Sequence, residues 1–128
     1  HRGELNDMEF TSSGRYIVSI GRTGALAVWD PTVPDKWMRR MVDEERRSEK
    51  LVAMAIIPKR SIAIVGGEGP ELNVWDYDKG TLLHRLPHKH GKVRSIDVSP
   101  KGDRMMTGGD IGWNMWTISP NLEFVDNG

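Results

Sequence analysis

Apolar positions in this chain come in short runs rather than at helical spacing. The 128 residues read as twelve segments of about four to seven residues, each stopped by glycine, proline or small polar residues, the alternation of strands and tight turns. Leu5, Met8 and Phe10 open the series, and Leu51, Met54 and Ile56, then Val93, Ile96 and Val98, repeat the same spacing. Second strands are predicted at 16–20, 62–65 and 104–107, and third strands end at Trp29, Trp75 and Trp116. Fourth strands are predicted at 36–41, 81–86 and 122–125. The run Ile62-Ala63-Ile64-Val65 is apolar on both faces, as in a strand covered from both sides. No segment has the length and period of a long helix.

The turns repeat too. Ser12-Ser13-Gly14, Pro58-Lys59-Arg60 and Pro100-Lys101-Gly102-Asp103 follow the first strand of each set, and Gly21, Gly66-Gly67 and Gly108-Gly109 close the second. Trp29-Asp30, Trp75-Asp76 and Trp116 recur at intervals of 46 and 41 residues. A period of roughly 40–45 residues ending in Trp-Asp marks a four-stranded propeller blade. The predicted fold is all-β: a β-propeller segment of three four-stranded antiparallel blades in an incomplete ring. Blade one takes 1–41, a charged insertion 42–50, blade two 51–86 and blade three 87–128. Propellers close with about four to eight blades, so three are expected to need completion, by further blades of the same polypeptide or of another chain.

On these residues the chain resembles the WD-repeat β-propeller family over essentially its whole length. His1 to Gly3 before Leu5, Ser19, and Leu26-Ala27-Val28-Trp29-Asp30 carry the likeness in blade one. In blade three it rests on His90-Gly91-Lys92-Val93, Ser99-Pro100, Thr107-Gly108-Gly109-Asp110 and Trp116. The resemblance implies a hydrogen-bonded set of histidine, hydroxyl, aspartate and tryptophan inside each blade. Blade three fits best, with Thr107, Asp110, Trp116 and either His88 or His90; spacing allows both, and His90 stands in the structural set. Blade one offers His1, Ser19 and Trp29, while blade two keeps only Trp75, with Val65 where the hydroxyl belongs.

The composition narrows the functions. Eighteen basic residues balance 18 acidic ones, which argues against a bulk polyanion partner, and the basic residues around 89–104 fall at opposite strand ends without aromatic interleaving. There is no cysteine, hence no disulfide framework or thiolate metal site. No apolar stretch reaches the ~18 residues that span a bilayer, and a cytoplasmic address is expected, with a nuclear or organelle-associated assembly as the alternative. His84, His88 and His90 make an incomplete metal set, and Gly66-Gly67-Glu68-Gly69 leads into a strand, where a phosphate loop needs a helix. Neither a metal nor a cofactor is expected.

The resemblance implies a non-catalytic binding module that presents loops to proteins or peptides; the alternative is a structural subunit of a multiprotein or ribonucleoprotein assembly. The candidate partner-binding residues precede the first strands or sit in the adjoining turns: Glu4, Lys50 and Lys92, with Arg22, Glu68 and Asp110. Lys59 and Lys101 fall at the opposite strand ends. Trp29, Trp75 and Trp116 are expected to be buried between blades and Trp113 largely buried. Trp37 is expected to be the most accessible tryptophan. The polar run 42–50, whose charge spacing would suit a single helical turn, is expected to be a solvated loop, with a partner-binding protrusion as the alternative.

Overall fold

The computed structural model describes residues 5–33, 38–45 and 49–128. Twelve strands form three separate four-stranded antiparallel sheets, each a simple meander. Blade one holds β1 (Leu5–Phe10), β2 (Ile17–Gly21), β3 (Ala25–Trp29) and β4 (Arg39–Val42). Blade two holds β5 (Leu51–Ile56), β6 (Ile62–Gly67), β7 (Glu71–Asp76) and β8 (Thr81–Pro87). Blade three holds β9 (Val93–Val98), β10 (Arg104–Gly109), β11 (Trp113–Ile118) and β12 (Phe124–Asp126). The innermost strands meet in chain order, β1 against β5 and β5 against β9, so the blades fan around one axis without closing a ring.

Each blade repeats one irregularity. The start of the inner strand pairs with a glycine across a bulge: Leu5 with Gly21, Leu51 with Gly67, Val93 with Gly109. At Gly67 a β-carbon would collide with the Lys50 carbonyl, and at Gly109 with the His90 carbonyl, so the backbone must run bare there.

Strand parity builds two apolar layers. Leu26 and Val28 on β3, with Val18 and Ile20 on β2, meet Met54, Ala63, Val65 and Trp75 of blade two. On the other face of blade two, Ile62, Ile64, Leu72 and Val74 meet Val93, Met105, Trp116 and Ile118 of blade three. Blade two is therefore covered on both sides, which accounts for its doubly apolar strands. Trp29, Trp75 and Trp116 are all buried, as the repeat register requires.

Two expectations need correction. Trp113 is 60% exposed, not buried. It lies three residues before Trp116, so a period of two turns the pair to opposite faces of β11, and among the described residues no blade covers the outer one. The last strand starts at Phe124 rather than 122, because Leu122 has φ of 61° and its amide donates back to the Ser119 carbonyl (2.9 Å), closing a turn. The expected strand 36–41 appears as Arg39–Val42; residues 34–37, with Trp37, lie outside the described set.

Candidate functional site

The chain connections entering each inner strand gather at one end of the blades. Lys50 enters β5 and Lys92 enters β9, while Glu68 occupies the turn between β6 and β7. These three side chains line one hollow of about 80 Å3 together with Val52, Gly67, Val93 and Arg94. The Glu68 amide donates to the Lys50 carbonyl (3.0 Å), which fixes the turn against the incoming chain. Asp110 reaches the same group through Arg94, whose Nε donates to Asp110 Oδ1 at 2.6 Å. Arg94, one of the basic residues around 89–104 but not among the candidate partner-binding residues, thus belongs to the cluster; its place one residue past the apolar Val93 at the strand entry is the available signal. Arg22 is exposed in the corresponding turn of blade one, outside the hollow, and Glu4 lies outside the described residues.

The hollow mixes signs. Lys50, Lys92 and Arg94 face one carboxylate of the rim, Glu68, and Asp110 holds Arg94 in place. Such a surface meets another mixed-charge surface through paired contacts and sets register more than affinity.

Beneath the rim lie buried polar networks. In blade one, Trp29 Nε1 donates to Ser19 Oγ (2.9 Å), as expected. In blade three, Trp116 Nε1 donates to Thr107 Oγ1 (3.0 Å). The histidine of that network is His88, not His90: His88 Nε2 lies 3.1 Å from Thr107 Oγ1 and Nδ1 lies 3.0 Å from the Gly91 carbonyl. A carbonyl can only accept, so Nδ1 carries the proton and Nε2 accepts from the threonine hydroxyl. His90 instead sets its ring edge-on to His88, centroids 6.1 Å apart. His88 wins because it follows Pro87, the last residue of β8, and folds back over β10 as the chain crosses to blade three. Asp110 pairs with Arg94 rather than completing this set. His1 lies outside the described residues.

Thr107 and His88 are buried, and the threonine oxygen is occupied by both neighbours. A nucleophile needs an exposed hydroxyl beside its base and donors for an oxyanion. This trio offers none of that exposure and works as an internal brace.

Blade two, which has Val65 at the hydroxyl position, is braced differently. Asp43, from the run read as a solvated loop, is buried. Arg85 of β8 grips it with two bonds, Nε to Oδ2 at 3.0 Å and Nη2 to Oδ1 at 2.9 Å. Asn73 Nδ2 (3.1 Å) and the Glu45 amide (3.1 Å) donate as well. The Arg85 hydrogen bond, more than any other contact, holds the Asp43 carboxyl below its ordinary range against the opposing pull of burial. Blade three repeats part of this: Asn114, the counterpart of Asn73, donates to Asp126 Oδ1 at 2.8 Å.

Comparison with known proteins agrees with this geometry. Residues 80–116 match the family described as WD domain, G-beta repeat. The protein groucho of Drosophila melanogaster is 24% identical over 105 residues, a match covering 82% of this chain and 14% of that protein. A crystal structure of the WD40 repeats of RRP9 superposes with a TM-score of 0.79 at 16% identity, over 98% of this chain and 37% of that one. The chain therefore spans well under half the length of both, and the second likeness shows the fold.

Proposed function

We infer that this chain, which belongs to the WD-repeat β-propeller family, is a non-catalytic scaffold segment that binds a partner protein at the connection end of its blades. WD40 repeats generally mediate protein–protein interaction and assembly. One observation carries the finer reading: residues from two blades, Lys50, Glu68 and Lys92, converge on a single mixed-charge hollow supported by rigid strands. Rim charges act chiefly on association rate and its salt dependence. With a partner in hand, Lys50→Glu with Lys92→Glu should slow association about tenfold at low salt and less at high salt, while Lys101→Glu, at the opposite strand ends, leaves it unchanged. Equal loss from Lys101→Glu, or none from the first pair, removes the case for this end.

A second reading, a structural subunit held through its blade faces, is favoured by the exposed apolar side chains at both ends of the arc. Met8 and Phe10 stand on blade one, and Met106, Trp113 and Val125 on blade three. Clustered exposure of this kind marks an interaction surface. Further blades, from the same polypeptide or another chain, are the covering partner of that reading.

A further inference from the structure

A cleft larger than the hollow at the connection end lies at the opposite strand ends from Lys50 and Lys92. It encloses about 400 Å3 between blades one and two, within the range of roughly 300–1,000 Å3 for ligand-binding clefts, against about 80 Å3 for the hollow at the connection end. Its walls are Tyr16, which leads into β2, and Tyr77, which follows β7. Its floor is tied across the blades. The Ser12 hydroxyl lies within bonding distance of the Ile57 (3.1 Å) and Arg60 (3.3 Å) carbonyls, and Tyr77 Oη donates to the same Arg60 carbonyl at 3.3 Å. Arg60 in turn donates from Nη1 to the Pro120 carbonyl of blade three at 2.8 Å, so its guanidinium is anchored with donors to spare.

Lys59 stands out in this cleft. It occupies the third position of the turn Ile57-Pro58-Lys59-Arg60, closed by the Arg60 amide on the Ile57 carbonyl (3.3 Å), with φ of 63°. That position favours glycine, and a lysine there costs about 1–2 kcal/mol of backbone strain. In the matching turns of blades one and three the positive φ falls one position later and on glycine, Gly14 at 74° and Gly102 at 73°, the counterparts of Arg60. Blade two alone among the three holds a cation in the left-handed region, and it does so on the cleft wall. Among the described residues the Lys59 ammonium has no ion-pair partner. Arg15 adds a further positive charge on the rim, its guanidinium carbon 5.2 Å from the centre of the Tyr16 ring. The one carboxylate of the lining is Asp78.

We propose that this cleft is a second binding site, distinct from the connection end, for a peptide segment that places one carboxylate side chain on Lys59 and lays its backbone between Tyr16 and Tyr77. The preference for a carboxylate over a phosphorylated side chain follows from Asp78, a carboxylate of the same lining, which repels a second negative charge. The site does not depend on the partner of the connection end.

The test uses three end-capped pentapeptides that are otherwise identical, with glutamate, glutamine or phosphoserine at the centre, followed by amide chemical shifts of the whole chain. The glutamate peptide should move the amides of Ser13, Lys59, Ser61 and Asp78 and bind about tenfold more tightly than the glutamine peptide, the worth of one charge-assisted hydrogen bond. Lys59→Gly should abolish that preference while leaving the protein as stable or more so, since glycine suits the turn; this separates lost binding from lost folding. Lys59→Glu should lose binding as well, and Lys50→Glu with Lys92→Glu should leave it intact. Equal affinity of the glutamate and glutamine peptides overturns the proposal. So does tighter binding of phosphoserine, shifts confined to the connection end, or full affinity in Lys59→Gly.

Discussion

Leu72 and Trp113 occupy the same place in successive blades, three residues before the repeat tryptophan, yet Leu72 is 0% exposed and Trp113 60%. Both lie on the third strand of their blade and point the same way, although Leu72 also pairs with Leu86 of β8 and no described residue of β12 pairs with Trp113. What differs most is the neighbour: blade three lies on Leu72, and among the described residues no blade lies on Trp113. The opposite end of the arc says the same with identical side chains. Met54 is 4% exposed beneath blade one, and Met8, its counterpart, is 51% exposed. Burial here is a property of the stack rather than of the residue, as expected where each repeat buries its face only on the next.

That difference can be broken most forcefully by truncating both members. Leu72→Ala should destabilise the chain by about 2–5 kcal/mol, the cost of a cavity in a packed layer. Trp113→Ala should change stability by less than about 0.5 kcal/mol, since it removes a larger side chain from a face with little packing to lose. Urea unfolding of both variants decides it. A loss at Trp113 approaching that at Leu72 would mean that this face is covered in solution by another copy or by another part of the molecule.

The fold was legible because its signals were periodic. Tryptophans at fixed spacing, glycines closing each second strand and turn residues after each first strand each predicted the same twelve strands, and all twelve form with shifts of a few residues at their ends. The failures have local causes. Trp113 holds the position that is buried at Leu26 and Leu72, so its own strand pattern does not reveal that no described blade covers it. His88 and His90 could not be separated by counting, since the bend after Pro87 decides which ring reaches Thr107. Asp43 lay inside a run of charges whose bulk is polar, and nothing in sequence distance linked it to Arg85, 42 residues away. The cleft beside Lys59 was invisible because it is built from turns of two blades, and the strain at Lys59 does not register in composition.

The second contrast is between the braces of blades two and three. Blade two relies on Asp43, whose partner Arg85 keeps about a third of its side chain in solvent (36%), so the pair lies between the buried and exposed limits. Asp43→Asn should cost about 2 kcal/mol at neutral pH by that interpolation. The pH dependence gives an independent reading. The Asp43 carboxyl sits below its ordinary value near 3.8 in the folded chain, so its contribution is complete above that value and is lost as pH falls through the lower folded one. The stability gap between wild type and Asp43→Asn should stay level from neutral pH down to about 4 and narrow in stronger acid. A gap that closes already near neutrality would assign the effect to another group.

Blade three relies on Thr107, and swapping its hydroxyl with the Val65 methyl is the finest test of the comparison. Thr107→Val keeps the shape but strands the Trp116 N–H and His88 Nε2 in the interior, which should cost about 1–2 kcal/mol. Val65→Thr in blade two does the reverse. It brings an acceptor to the position that serves Trp29 in blade one and Trp116 in blade three, next to a tryptophan folded in the same register. The added oxygen must give up water to reach that place, so the net change should stay within about 1 kcal/mol of zero. Thermal unfolding of the two single variants and the double variant measures both changes. A large destabilisation by Val65→Thr would show that blade two has closed its apolar layer too tightly to accept the brace that blades one and three share.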